Sequence, residues 1–242
     1  MQKKMNEMRT SSMITLRDAR NQVLEQMAQA CKHAGRATDS VALLAVSKTH
    51  PAEMLREMYE TGQRAFGENY LQEALDKIEQ LSDLAIEWHF IGHVQRNKTK
   101  HLAEKFAWVH GVDRLIIAER LSSQRVGQSE PLNLCLQVNI DVQDSKDGCA
   151  PAEVAELVKQ ISQLANIQLR GLMVIPAPGN IDAFKQAQVL FEQVKAQHMN
   201  PDQWDTLSMG MSGDMQDAIN AGSTMVRVGT ALFGARDYSS KA

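Results

Sequence analysis

The chain is poor in cysteine: three in 242 residues, at Cys31, Cys135 and Cys149. An odd number at such wide spacing makes neither a disulfide framework nor a zinc site, and it suits a reducing compartment, so a cytoplasmic protein is expected. Charge of one sign is also scarce. A formal net charge of -3 with 23% charged residues offers no basic surface for nucleic acid and none for an anionic membrane. No apolar run approaches the roughly 20 residues that a membrane span needs. The opening stretch, MQKKMNEMRTSSM, lacks the apolar core of a secretory signal and reads as a polar tail over residues 1–13, with Met13 an alternative start. There are only six prolines, and no Pro/Gly/Ser-rich linker divides the chain, so residues 14–242 are expected to form one domain.

What is present is a regular beat of short β-rich runs and helical stretches. Apolar residues at Leu16, Val23, Leu24, Met27, Ala30 and Cys31 predict a leading amphipathic helix over 14–33, closed at Gly35. Strands are predicted at 41–46, 64–68, 87–92, 106–112, 132–140, 167–175, 206–210 and 223–229. Helices follow each of them except the last. The helix after the first strand starts at Pro51, a residue suited to a first turn. Alternation alone also describes an open doubly wound sheet, but a count of eight strands favours closure. The expected fold is α/β: a single (β/α)8 TIM barrel with a leading N-terminal helix.

In such a barrel the functional groups collect where strands end. Lys48 follows the first strand, Glu68 and Asn69 the second, and the segment 92–97 the third. Asn139 closes the fifth strand and Met173 lies in the sixth. Met211 and Ser212 follow the seventh, and Arg227, Gly229 and Thr230 stand at the eighth. A lysine near apolar walls and a second cation is favoured in its neutral form, which can attack an aldehyde to give an imine. An exposed loop lysine is the plainer reading of Lys48 taken alone. Glycines on both sides of Ser212, and the Gly229–Thr230 pair, let backbone N–H groups approach a phosphate at the loops that usually hold one in this architecture. Each taken alone is equally a helix cap.

Arg227 is either a buried ion-pair partner or the donor to a cofactor ring nitrogen. In the second role a permanent cation leaves that nitrogen unprotonated and the ring a weak electron sink. Asn69 either hydrogen-bonds a ring hydroxyl or caps the next helix. His89 and His93 are separated by a strand end and a glycine turn, so no metal site is expected there. Lys146, in DSKDG, is either a rim lysine near the site or an ordinary turn charge, the turn being favoured, and the basic run 96–105 reads as a solvated helix face, with anion steering the lesser option.

Seven motifs in order, AVSKTHP, AFGENYLQEA, WHFIGHVQRNK, VNIDVQDSKDG, RGLMVIPAP, MGMSGDM and STMVRVGTALFGARDY, span residues 43–238. In them the chain resembles the YggS/PROSC family of pyridoxal phosphate homeostasis proteins. The resemblance implies a barrel similar to the N-terminal domain of bacterial alanine racemase, with pyridoxal 5′-phosphate as an internal Schiff base on Lys48. By motif, Ser212, Gly229 and Thr230 would hold the phosphate, Arg227 would face the pyridine nitrogen, and Asn69 would lie near the ring. Met211 is counted with them. His93, Val94, Arg96 and Gly213 depart from the family pattern, which bears on the third loop and the phosphate loop.

The expected function is intracellular cofactor homeostasis, as carrier or regulator without strong catalytic turnover. Dependent apoenzymes are candidate partners, and a monomer is expected. A weak amino-acid racemase is the alternative, and a phosphate-sugar-binding barrel without an imine is a third reading. Racemisation of this type uses two bases, one a tyrosine from a separate β-domain. None of Tyr59, Tyr70 and Tyr238 is placed by a motif as that second base.

Overall fold

A computed structural model describes residues 15–235 of the chain. The polar-tail reading of residues 1–13, Met13 and Tyr238 therefore lie outside the described residues. Eight parallel strands close into a barrel in sequence order: β1 (Ala42–Val46), β2 (Ala65–Glu68), β3 (Glu87–Phe90), β4 (Trp108–Val112), β5 (Leu132–Val138), β6 (Ile167–Val174), β7 (Thr206–Ser208) and β8 (Met225–Val228). The ring is sealed by β1 against β8, with Ala42 opposite Met225 and Ala45 opposite Val228. The expected architecture is the observed one.

The leading helix α1 (Leu16–His33) starts at a capping box in which Thr15 and Asp18 satisfy each other's backbone N–H groups. Its Ala19, Val23, Met27, Ala30 and Cys31 are buried, one stripe at helical spacing. Helices α2 (Ala52–Glu60), α3 (Leu71–Gln80), α4 (Thr99–Lys105), α5 (Leu115–Gln124), α6 (Val154–Ile161), α7 (Asp182–Val194) and α8 (Met215–Asn220) follow β1 to β7. A one-turn helix, α9 (Thr230–Phe233), follows β8, where the sequence reading placed none. Only four residues long, it shows too little periodicity to be read from sequence. Leu232 and Phe233 nevertheless bury their side chains, and α1 packs against both α8 and α9. Five of the observed strands, β3 and β5 to β8, end one or two residues earlier than the sequence runs suggest, because the apolar runs continue into the loops that build the mouth.

Most of the core lies between sheet and helices, where side chains such as Leu55, Leu121 and Phe184 are nearly or wholly inaccessible. Each such residue contributes about 1.5–3 kcal/mol of burial. The barrel interior differs. Leu44, Val46, Ile91 and Met225 form one small cluster, and Trp108, Cys135 and Met173 another. The buried polar side chains of His89, His110, Ser208 and Arg227 join into one hydrogen-bonded series.

Candidate functional site

Strand ends of β1, β2, β7 and β8 converge on one cavity of about 230 Å³. Its lining includes Lys48, Asn69, Met211, Ser212, Arg227, Gly229 and Thr230, so the structure brings together every residue singled out from sequence as cofactor-binding. Val46, Ile91, Ile175 and Gly213 complete it. The three apolar members ended buried strands in the sequence, where nothing distinguished them from core. A larger open groove of about 760 Å³ lies over α2 and α3. Glu53, Glu73 and Asp76 line it with Lys77, which is already paired with Glu73, so carboxylates outnumber free cation there and disfavour a phosphate.

Lys48 stands in a loop held from below on both sides. Ser47, buried, donates its hydroxyl to Glu68 Oε1 at 2.5 Å, and its carbonyl accepts from Lys77 Nζ at 2.8 Å. The backbone N–H of Thr49 donates to Glu73 Oε1 at 2.5 Å. Lys77, on α3, also bonds Glu68 and Glu73, each at 2.7 Å, and so ties the two clamps together. Thr49 has φ +68°, a conformation costing a β-branched residue about 1–3 kcal/mol, which this network sustains next to the site. Glu68 thus faces away from the cavity, although sequence placed it on the rim. Burial raises its carboxyl above the ordinary range, while Lys77 and Ser47 pull it back.

Arg227 is buried, with Nη1 donating to Ser208 Oγ at 2.9 Å and Nη2 to the Val174 carbonyl at 2.9 Å. Both acceptors are uncharged. The ion-pair reading of this arginine is thereby disfavoured, because neither bond neutralises it. Burial lowers the guanidinium to about 10, which leaves it cationic at neutral pH. Ser208 lies within 3.2 Å of His110 Nδ1, His110 Nε2 within 2.9 Å of His89 Nδ1, and His89 Nε2 within 2.8 Å of Glu87 Oε1. Burial keeps His89 below the usual histidine range and His110 well below it.

Asn69 reaches the cavity with its Oδ1 buried and without a hydrogen-bond partner. An orphaned acceptor costs about 1–3 kcal/mol, so this atom calls for a donor in the cavity. Its loop is fixed by Gly92, where a Cβ would lie 2.2 Å from the Asn69 carbonyl oxygen. The loop after β7 is closed by Asp214, whose Oδ1 accepts from the Met211 N–H at 2.6 Å. It leaves Ser212 and Gly213 exposed at the mouth. Gly210, at φ +96°, makes the turn into it, and a Cβ there would meet Ala218.

Other rim candidates fall elsewhere. Asn139 holds its own loop by bonding the Gln143 carbonyl, and with Lys146 it lines a neighbouring cavity. Lys146 pairs with Asp141 at 2.6 Å and donates to the Ile175 carbonyl, so its turn is fixed from within. Met173 is inside the barrel. Among the described residues no group of three or more His, Cys, Asp or Glu is arranged to hold a metal. His93 pairs instead with Asp147 at 3.1 Å, tying the third loop to the fifth, while Val94 beside it is buried.

Fold and cavity together describe a (β/α)8 protein with a small pocket at its strand ends that carries an amine, a guanidinium and two loops of small residues. The chain belongs to the alanine racemase N-terminal domain family, whose model matches residues 21–237, and within it to the pyridoxal phosphate homeostasis proteins. It is 50% identical over 230 residues to the pyridoxal phosphate homeostasis protein of Pseudomonas aeruginosa, covering 95% of this chain and 100% of that one. The structure of PipY from Synechococcus elongatus with pyridoxal phosphate bound matches at a TM-score of 0.74 and 39% identity, over 88% of this chain and 100% of that one. Alanine racemase from Corynebacterium glutamicum matches at a TM-score of 0.63 and 16% identity, over 90% of this chain and 62% of that one, a likeness of fold alone.

Proposed function

We propose that this protein binds pyridoxal 5′-phosphate covalently through Lys48 and serves its intracellular homeostasis as a carrier or regulator, not as a catalyst. The observation that carries this reading is the single cavity in which an amine, an orphaned amide oxygen and a buried cation face two small-residue loops. The donor set fits the cofactor. The orphaned Asn69 Oδ1 matches its ring hydroxyl, Ser212, Gly213, Gly229 and Thr230 supply hydroxyl and backbone donors for a phosphate, and the walls Val46, Ile91 and Ile175 are apolar. Met211, exposed, lines the mouth.

Pyridoxal phosphate supplies, when bound, an aldehyde that condenses reversibly with a primary amine. Lys48 is that amine, and its loop is clamped by Glu68, Glu73 and Lys77. Arg227 would face the pyridine nitrogen and, remaining cationic, would keep that nitrogen free of a proton. That would leave carbanion chemistry weakly supported. Two tyrosines lie among the described residues, and neither lines the cavity: Tyr59 stacks under the Arg64 guanidinium and Tyr70 is exposed before α3. The close relatives are named for homeostasis, and the alternative of a weak racemase is the less favoured reading.

The domain is read as residues 14–242, with the protein acting as a monomer in the cytoplasm and handing its cofactor to dependent apoenzymes. No helix among the described residues is long and apolar enough to cross a membrane. Borohydride treatment of protein mixed with pyridoxal phosphate, followed by peptide mass analysis, tests the central claim. The expected result is a permanent adduct on Lys48. An unmodified Lys48 with excess cofactor present overturns it, and a phosphate-binding barrel without covalent attachment becomes the better account.

A further inference from the structure

The barrel interior carries a series of polar groups from its amino end to the cavity. Glu87 is the first residue of β3, with its side chain half-exposed at the foot, and Arg227 lines the cavity at the other end. Between them His89, His110 and Ser208 are wholly buried. The two ends fix what each middle group can do. A carboxylate only accepts and a guanidinium only donates. Glu87 therefore accepts from His89 Nε2–H. In a neutral ring Nδ1 of His89 is then bare and accepts from His110 Nε2–H, which leaves His110 Nδ1 bare in turn. Ser208 donates its O–H to that nitrogen, and its oxygen accepts from Arg227 Nη1–H. Every bond in the series is at 2.8–3.2 Å, and no group is left with two donors or two acceptors facing each other.

We infer that Ser208, His110, His89 and Glu87 form a one-directional hydrogen-bond relay, locked into the Nε2–H tautomer at both rings, that positions Arg227 for the cofactor. The role rests on the proposed cofactor reading, but the relay itself does not. Without such a series the Ser208 hydroxyl would have no set orientation, and the guanidinium would keep only the Val174 carbonyl as a fixed acceptor. With it, the dipoles between Arg227 and Glu87 all point one way, and the far carboxylate anchors the alignment. Trp108 stacks on His89 at 5.2 Å between centroids, and the Arg170 guanidinium lies over the same indole. Arg170 is hydrogen-bonded to Asp205 and Asn133 and reaches Glu87 through its charge alone, while the Trp108 side chain gives that carboxylate a second donor. These are positioning residues: none but Arg227 lines the cavity.

The first measurement uses cofactor-free protein. Nitrogen-15 NMR of labelled histidine should show both buried rings neutral, with Nε2 protonated and Nδ1 bare. A charged His89, or a proton on Nδ1 of either ring, overturns the relay. Glu87→Gln, at the half-exposed foot, should divide both rings between tautomers, because a carboxamide accepts or donates equally well. Rings unchanged in that variant overturn the anchoring role of the carboxylate.

The second measurement uses Ser208→Ala, checked for its fold by circular dichroism. Added pyridoxal phosphate should still be fixed on Lys48 by borohydride. Its dissociation constant should rise about tenfold and its absorption maximum should move, since the Arg227 Nη1 donor loses its partner. Unaltered affinity and spectrum overturn the positioning role. Failure of the wild-type protein to form the Lys48 adduct would instead sink the cofactor reading, and the tautomers would still decide the relay.

Discussion

Replacing Lys77 by methionine removes one cation from a buried cluster while keeping most of its stem. The Lys77 side chain is 5% exposed and holds Glu68 at 0% and Glu73 at 23%. Methionine has a similar length, so the packing loss is small. What remains is electrostatic. Glu73 is open enough to recover hydration, but Glu68 keeps only the Ser47 hydroxyl on Oε1 and has no partner on Oε2. Breaking a buried pair this way costs about 3–5 kcal/mol. The loss should depend on pH with a definite sign. The folded value of Glu68 is already raised by burial, and Lys77 is the chief influence lowering it. An acid raised on folding binds more protons in the native state, so its contribution falls as pH rises from the unfolded value, about 4.3, through the folded one. Removing Lys77 carries that window to higher pH. Urea unfolding followed by circular dichroism at pH 5 and pH 8 should show a deficit that grows with pH towards the full figure. A deficit under about 1 kcal/mol at pH 8, or one equal at both values, refutes the reasoning. Loading of cofactor should fall as well, since the carbonyl of Ser47 loses its donor.

Lys48→Ala should abolish borohydride-fixed cofactor and its visible absorption while shifting unfolding by less than about 0.5 kcal/mol, because a half-buried rim lysine contributes little to the core; an unfolded variant would contradict its place at the mouth. Gly92→Ala should cost about 1–3 kcal/mol and weaken cofactor binding, as the new methyl group displaces the Asn69 backbone, which calorimetry and titration will read. Val142, 69% exposed at φ +52°, should accept asparagine with a gain of about 1 kcal/mol and a melting temperature about 2–4 °C higher.

Much of the fold was legible because its two periods are plain: ALLAV and LNLCLQV are short apolar runs, and the Val23–Met27–Ala30 stripe is helical. The seven cofactor-binding candidates were legible for another reason. Closing eight strands in order sends every strand exit to one end, so Lys48 and Arg227 need no long-range information to meet. What escaped was direction. Glu68 and Asn69 are neighbours, and only the turn of the chain decides that one points to Lys77 and the other to the cavity. His89 looked like a poor metal ligand because its partner was sought at His93, nearby in sequence. Its true partner, His110, is on the adjacent strand, a relation that register creates and spacing does not reveal. The one-turn helix α9 was missed because four residues carry no period.

The seal between β1 and β8 joins the earliest strand of the ring to the latest, and Lys48 and Arg227 stand on opposite sides of it. A small molecule gripped by both is therefore a rivet across the joint at which the cylinder is completed. A chain that has assembled every other pairing still has nowhere to hold it. By mass action, abundant vitamin favours the finished ring over any form open at that joint. On the proposed attachment through Lys48, retention of the cofactor would track how firmly the two ends of the sheet stay zipped.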